Sequence, residues 1–507
     1  MAPNEHGAEA INAAPRRLRL AAISGAIWSA TGMWGRQAAS LAVIAILSRL
    51  LTPDEFGVFA LVLAFVTLAQ AVINDGLADA VVQREEIAPE HLNAAFWICL
   101  ACGITLALLL AAVAGPVERL YDAPGLADLI WVGCVVIAGA GSAAVHQGML
   151  MRTLRFKQLA FRTLIGVVCG GITGVTLAVM GAGAWALLGQ LFVEQTVSVA
   201  IMWYASGWRP TLSFSRQHAA DLLPFTMKTA GARLLLFAYS HADRFLVGLL
   251  AGTMILGLYA FAMRLYETLI TLLSRTVAQV AFVAFAKIQG DEARMRQAFL
   301  DAMPAALAIS VPVLLAVGAN APLLVSTLFG SRWHASGEAL ALVVATSPAV
   351  VLGSFCGAVI RGTGGAGLFM WLIALGAAGN LLAVGFLLPY GIQAAALGIA
   401  VRQLLSAPLD LWALERQAGI PARSVYRECL PIVIASWTGL VAWLGVMLWA
   451  QADLNEWVRN ALATAVGLTV YAALLLLTGR RILRTWRSLA GLALKRGGQG
   501  APLKDAA

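Results

Sequence analysis

Apolar stretches long enough to cross a bilayer recur fourteen times along this chain, and its Lys and Arg residues crowd onto alternate connections between them. A membrane-crossing helix needs about 20 apolar residues. The stretches fall near 22–50, 56–80, 93–114, 126–149, 161–181, 184–204, 218–250, 255–286, 299–319, 336–360, 368–389, 393–414, 431–450 and 457–478. Only helices and closed barrels satisfy their own backbone in lipid, so the pattern predicts an all-α polytopic membrane protein. The stretches 22–50, 218–250 and 255–286 exceed one bilayer thickness, which predicts tilt or extension past the lipid. Composition agrees: 60% of the 507 residues are hydrophobic and 12% charged, against about 25% charged in soluble domains.

Positive charge gives the orientation. With the N-terminus inside, the cytoplasmic connections and ends carry 24 of the 35 Lys/Arg, the outer loops carry four (Arg49, Arg119, Arg332, Arg459), and seven lie within spans. That asymmetry places both termini in the cytoplasm. It also accounts for the net charge of +9 without nucleic acid as a partner. The first 21 residues have no compact apolar core, and the first span is too long and too interrupted by Arg36 to be a cleaved signal, so an anchor is expected.

The connections are short; the longest outer one, 320–335, has about 16 residues, leaving no extramembrane domain for a soluble active site. The chain has no GxxxxGK[ST] run, so ATP hydrolysis is not expected. The pair Cys99 and Cys102 sits on an apolar helix without nearby His or acid, which reads as packing rather than metal chemistry. No cofactor, metal or catalytic residue is expected. Arg480, Arg481, Arg484 and Arg487 in the 479–507 tail suit either a positive-inside stop or an amphipathic helix on anionic lipid.

An internal repeat is visible. Leu50-Leu51 precedes Gly57-Val58-Phe59-Ala60 by five residues; Leu249-Leu250 precedes Gly257-Leu258-Tyr259-Ala260 by six. Six crossings per copy would give two halves of the same orientation, as in transporters with parallel repeats. Helix breakers and spacers accompany it. Pro224, Pro304, Pro312 and Pro348 lie in or at the ends of spans, and Gly170-Gly171-Ile172-Thr173-Gly174 permits close helix approach.

The intramembrane cations are Arg36, Lys228, Arg233, Arg244, Arg264, Arg275 and Arg402. Each costs about 2.5–3.5 kcal/mol at the bilayer centre, so each should face the bundle interior or a wet cavity. The nearby acids are Asp75, Glu194, Asp243, Glu267 and Asp410. Pairing all five leaves two cations over, which points to an anionic ligand. Asp243–Arg244 also reads as a local pair, Arg275 and Lys228 as anchors near the cytoplasmic side, and Arg402 as a partner for Asp410. Arg36, Arg233 and Arg264 read best as cavity residues.

Several runs resemble the polysaccharide flippases of the MOP (multidrug/oligosaccharidyl-lipid/polysaccharide) superfamily, Wzx-type, in its colanic-acid-exporter-like branch. They are Leu47-Ser48-Arg49-Leu50-Leu51-Thr52-Pro53-Asp54-Glu55-Phe56-Gly57, Asn74-Asp75-Gly76-Leu77 with Val82-Gln83-Arg84, and His91-Leu92-Asn93-Ala94-Ala95-Phe96-Trp97. Leu154-Arg155-Phe156-Lys157-Gln158-Leu159-Ala160, Trp208-Arg209-Pro210, and Gly257-Leu258-Tyr259 followed by Arg264-Leu265 complete the set. The resemblance spans about residues 20–415.

The resemblance implies two six-helix lobes, 22–207 and 217–414, in a V around a central cavity, with an extra helix pair at 431–478 to accommodate a polyprenyl tail. It implies a bacterial inner-membrane, non-enzymatic transporter. The implied substrate is an undecaprenyl-diphosphate-linked oligosaccharide, flipped outward for exopolysaccharide or lipopolysaccharide biosynthesis by alternating access. Membrane lipids, a polysaccharide polymerase and export machinery are the implied partners. Arg36, Lys228, Arg233, Arg264 and Arg402 then form the diphosphate-binding set, with Asp75, Glu194 and Glu267 for ion coupling or charge pairing. Asp75 and Arg264 lie within the matching runs themselves. The alternative is a drug or cation antiporter on the same fold, which would call for an acid-dominated cavity.

Overall fold

The computed structural model describes residues 16–83, 87–275, 290–450 and 455–478, with 278, 281, 282, 285 and 288 between them. Among these the chain is helical, without strands. The first six helices are α1 (Arg16–Leu50), α2 (Pro53–Gln83), α3 (Pro89–Tyr121), α4 (Leu126–Arg152), α5 (Phe156–Val179) and α6 (Ala184–Ser206). Helix α7 (Arg216–Ile270) follows, ending in a π turn, Thr271–Arg275. Then come α8 (Glu292–Ala319), α9 (Ala321–Phe329), α10 (His334–Val344), α11 (Ser347–Gly362) and α12 (Ala366–Leu387). Helices α13 (Ile392–Ala418), α14 (Ala422–Trp449) and α15 (Glu456–Thr478) complete the chain.

Eleven stretches among the described residues are long and apolar enough to cross a membrane. The structure refines two sequence expectations and corrects a third. First, helix length and apolarity alone return eleven spans among the described residues, a count that does not test the expected fourteen. The stretch Thr229–Ser274 has 46 residues, more than twice one crossing, and Gly252 breaks it at φ 78°, ψ 177°. That backbone conformation is open to glycine and costly for other residues. Second, the span expected at 336–360 is bent, its parts Ser331–Val344 and Ser347–Gly362 meeting at 57°. Pro348 lies in the first turn of α11, where its missing N–H and preset φ start a helix rather than continue one. Third, residues 320–335 are not a loop, because α9 and a short 3-10 turn occupy them.

By compactness the chain forms two units. One comprises Met1–Leu265, Leu323–Ala339 and Ile373–Gly398; the other comprises Tyr266–Pro322, Leu340–Leu372 and Ile399–Ala507.

In the first unit, the α1–α2 corner is set by a capping box. The Thr52 N–H donates to Glu55 Oε2 at 2.7 Å, the Glu55 N–H reaches Thr52 Oγ1 at 3.4 Å, and Pro53 follows the cap. This explains the Thr52-Pro53-Asp54-Glu55 run locally. The start of α2 then meets the α7 arm beyond Gly252. A Cβ on Gly57 would overlap the Thr253 carbonyl oxygen, and one on Gly257 would overlap that of Pro53. The repeat glycines are therefore each other's partners, and Thr253 donates its hydroxyl to Asp54. Arg49 donates to the Leu328 and Thr327 carbonyls, and Arg332 returns a bond to Leu51 O at 3.0 Å. Trp333, fully buried, donates to Ser48 O at 2.9 Å and stacks on Phe261 with centroids 4.1 Å apart. Trp333→Ala is expected to lower unfolding free energy by about 3–5 kcal/mol, read by denaturant unfolding of the purified protein. Within α7, the buried Asp243 accepts from the Tyr259 hydroxyl and the Arg244 N–H, which ties one arm to the other across Gly252.

In the second unit, α14 and α15 cross at Gly439 and Gly467, where a Cβ on either would stand 2.7 Å from the other's carbonyl oxygen. The Tyr471 hydroxyl donates to Ala308 O at 2.6 Å, and Asn320 Nδ2 to Thr464 Oγ1 at 2.9 Å, so the pair docks on α8. Between these bonds lies a crevice of about 330 Å³, open mouth included, walled by Pro312, Leu315, Leu440, Trp443 and Leu468 among others.

Candidate functional site

Glycine brings α1, α5 and α6 together. A Cβ on Gly32 would lie 2.6 Å from that of Ala160, and one on Gly35 would lie 2.9 Å from Leu164 Cδ2, so α1 seats closely on α5. The other edge of α5 carries Gly166, Gly170 and Gly174, which lie against Glu194 and Gln190 of α6. Close approach through small residues is how helices associate in lipid, where burial of apolar surface supplies little. The Gly170-Gly171-Ile172-Thr173-Gly174 run thus does what its composition suggested, with Gly171 against Val43 of α1.

The consequence is an ion pair between elements 158 residues apart: Arg36 Nη2 donates to Glu194 Oε1 at 3.3 Å. One turn further along α1, Ser40 Oγ accepts from Arg264 Nη2 at 3.1 Å. Positions 36 and 40 rise about 6 Å along one helical face. Arg36 and Ser40, the hydroxyl that Arg264 of α7 reaches, therefore lie one turn apart on α1, with the Glu194 carboxylate bonded to Arg36. Guanidinium donors arranged this way suit phosphate oxygens, to which arginine bonds through paired N–H groups.

The remaining expected residues are distributed as follows. Arg233 is half-buried on α7 and takes part in polar contacts. Glu267 is likewise half-buried and engaged. The side chains of Asp75, Lys228 and Arg275 lie outside the described residues. Arg402, half-buried on α13 in the second unit, is within electrostatic reach of Asp410, whose carboxylate occupies the space a Cβ on Gly353 would need. Sequence reasoning missed Ser40; its spacing of four from Arg36 was the available signal.

Two of the quoted runs meet elsewhere in the first unit. Asn93 donates to Thr211 Oγ1 at 2.8 Å and to Ser213 Oγ at 3.3 Å, and accepts from the Thr211 N–H at 3.0 Å. Trp97 Nε1 donates to Thr211 O at 2.9 Å, and the His91 ring meets that of His218 edge-on at 4.3 Å. Trp208 packs with Phe96 and the buried His146. The 207–215 connection between α6 and α7 is thereby strapped onto the start of α3. Asn93→Ala removes three hydrogen bonds, a loss of about 2–3 kcal/mol at roughly 1 kcal/mol each. Faster limited proteolysis within 207–215 is the expected readout.

Comparison with known proteins adds the following. A family model described as "Polysaccharide biosynthesis protein" matches residues 46–338. The succinoglycan biosynthesis transport protein ExoT of Rhizobium meliloti is 26% identical over 466 residues, covering 91% of this chain and 94% of that one. The lipopolysaccharide biosynthesis protein WzxC of Escherichia coli is 26% identical over 326 residues, covering 62% and 65%. Among solved structures, the lipid II flippase MurJ in an inward closed conformation superposes with a TM-score of 0.74 at 13% identity, covering 88% of this chain and 98% of that one. At that identity the likeness is one of fold.

Proposed function

The chain belongs to the family of polysaccharide biosynthesis proteins, and from that premise we propose that it is a flippase for lipid-linked oligosaccharides. The substrate is an undecaprenyl-diphosphate-linked repeat unit carried from the cytoplasmic to the periplasmic leaflet. The observation that carries this reading is the placement of Arg36 and of the Arg264–Ser40 hydrogen bond one turn apart on α1. A cation antiporter would need the opposite sign there.

The proposed setting is the bacterial inner membrane, with both ends of the chain in the cytoplasm. The fourteen crossings follow if α1 is one span, α7 is two arms parted at Gly252, and α10–α11 is one bent span. Spans 1–6 and 7–12 are the two moving halves, and the repeat hairpins at Gly57 and Gly257 are their outer contact. Arg233 and Lys228 extend the cationic lining, while Asp75 balances charge. The apolar crevice beside α14 and α15 is the proposed contact for part of the polyprenyl tail, whose isoprene units need only an apolar wall.

Each side chain then has one task. Arg36 and Arg264 hold the diphosphate by charge-assisted bonds, replacing water as the head group enters the membrane. Ser40 keeps the Arg264 guanidinium at that face of α1 when no anion is present. Moving about two negative charges outward in an inside-negative cell releases roughly 4–5 kcal/mol per 100 mV. Flipping in vesicles is accordingly expected to slow when the potential is collapsed with an ionophore; an unchanged rate would remove the potential from the mechanism.

The reading is tested by mass spectrometry of the polyprenol-linked glycan pool in cells depleted of the protein. Accumulation of an undecaprenyl-diphosphate oligosaccharide, cured by re-expression, is expected and names the glycan. An unchanged pool in cells without a redundant flippase would overturn the reading.

A further inference from the structure

We propose that Glu194 is a resident counter-anion that occupies Arg36 in the empty protein and is displaced from it by the substrate's diphosphate. The inference rests on the flippase reading and assigns that site a regulation. Glu194 belongs to the protein and carries the charge sign that the reading gives to the substrate. It holds the guanidinium through one oxygen, Oε1, at 3.3 Å. An isolated guanidinium in lipid costs several kcal/mol, so a site built to receive a dianion needs a substitute for it between turnovers.

The geometry favours exchange over a permanent pair. The Arg36 side chain is 54% exposed and that of Glu194 only 18%. The cation is therefore the accessible partner and the carboxylate the recessed one, so an arriving anion meets arginine first. A guanidinium offers five N–H donors in a fixed fork, and the one carboxylate oxygen takes a single one of them. The stem of Glu194 cannot relax to a new place. A Cβ on Gly170 would stand 3.0 Å from Glu194 Cβ, and one on Gly166 would stand 3.5 Å from its Cγ, so the stem lies flat on the bare face of α5. Arg36 has the freedom in this pair: it turns from the carboxylate to the diphosphate and turns back on release. Nothing covalent changes; one ion pair is exchanged for another. Arg264, which donates to Ser40 one turn along α1, supplies the rest of the affinity. The competition weakens binding of the diphosphate, which favours release on the far side of the membrane over retention.

The test uses the purified full-length chain in nanodiscs of zwitterionic lipid, titrated calorimetrically with farnesyl diphosphate at fixed ionic strength. Glu194→Gln keeps the shape and removes the charge. It is expected to tighten binding about 5–10-fold, a coupling of ordinary size between two linked sites. In an Arg36→Ala background the same change is expected to have no effect, because the partner is gone. Unchanged or weaker binding by Glu194→Gln, or equal tightening without Arg36, would overturn the inference. If Glu194→Gln is not monodisperse, Glu194→Asp, which is one methylene shorter, is judged by the same criteria with a smaller expected gain. The flippase reading fails separately if Arg36→Ala and Arg264→Ala both bind farnesyl diphosphate as the wild type does.

Discussion

Replacing Arg264 by alanine is expected to slow export of the glycan about 10- to 100-fold while leaving the protein folded, the equivalent of the 1.5–3 kcal/mol typical of a hydrogen bond to a charged group. Arg264 reaches Ser40 with one of its guanidinium nitrogens, and a guanidinium carries five N–H donors in all. Its removal takes away half of the proposed diphosphate clamp but no buried packing group, since the residue is only half-buried. Arg264→Lys keeps the charge but loses the planar fork, so it should recover only part of the rate. The check is the steady-state pool of lipid-linked glycan in cells expressing each variant. Pools should rise in the order wild type, Arg264→Lys, Arg264→Ala. Full recovery by lysine would mean that charge alone suffices, without paired bonds to phosphate oxygens.

The second large effect is expected at the repeat glycines. Gly57→Ala or Gly257→Ala puts a Cβ into a backbone carbonyl, of Thr253 or Pro53 respectively. A side chain can rotate away from such a clash, but a carbonyl fixed in a helix cannot. Relief requires α2 and the second arm of α7 to move apart, at about 1–3 kcal/mol or more for each overpacked site. The two glycines line one contact, so the double substitution should cost less than the sum of the singles. If this contact is the outer closure of an alternating-access cycle, both substitutions raise the share of the outward-open form. Disulfide trapping between Asp54→Cys and Thr253→Cys reads this directly. The wild-type background should cross-link efficiently, and the Gly57→Ala and Gly257→Ala backgrounds several-fold less. Equal trapping in all three would show that the helices part without consequence for the state.

The same glycines show how far the sequence could be read. The hairpins at Leu50–Gly57 and Leu249–Gly257 are legible only as a faint repeat, because glycine and aromatics are common at membrane boundaries and two matching hairpins alone weigh little. That the two hairpins pack on one another was not readable, since pairing between copies leaves no periodic mark in either. The spans were legible because lipid demands about 20 apolar residues each. The bend at Pro348 and the folding of 321–333 into helix were harder. A proline at a helix start and one in the middle of a helix look alike in a run of apolar residues, and the burial of Trp333 against Phe261 and Ser48 leaves no mark in the sequence.

At the site, each arginine was conspicuous by its cost in lipid, but its partner was not. Glu194 and Arg36 lie 158 residues apart and are joined only through the glycine faces of α5. By contrast, Arg402 and Asp410 share one helix at a spacing of eight, and their proximity could be read as two helical turns. The Asn93–Thr211 strap was also hidden. Both of its runs were recognisable as family patterns, yet nothing in either indicates that one holds the other.

The measurement that tests the central claim most directly is lipid flipping by the purified chain alone. The protein would be reconstituted into proteoliposomes loaded with an undecaprenyl-diphosphate oligosaccharide, and glycan accessible at the outer leaflet followed with a membrane-impermeant glycosidase. The flippase reading predicts translocation above protein-free vesicles that an inside-negative potential accelerates, with Arg264→Ala reducing it at least about tenfold. Translocation no faster than in protein-free vesicles, or equal for wild type and Arg264→Ala, would contradict it.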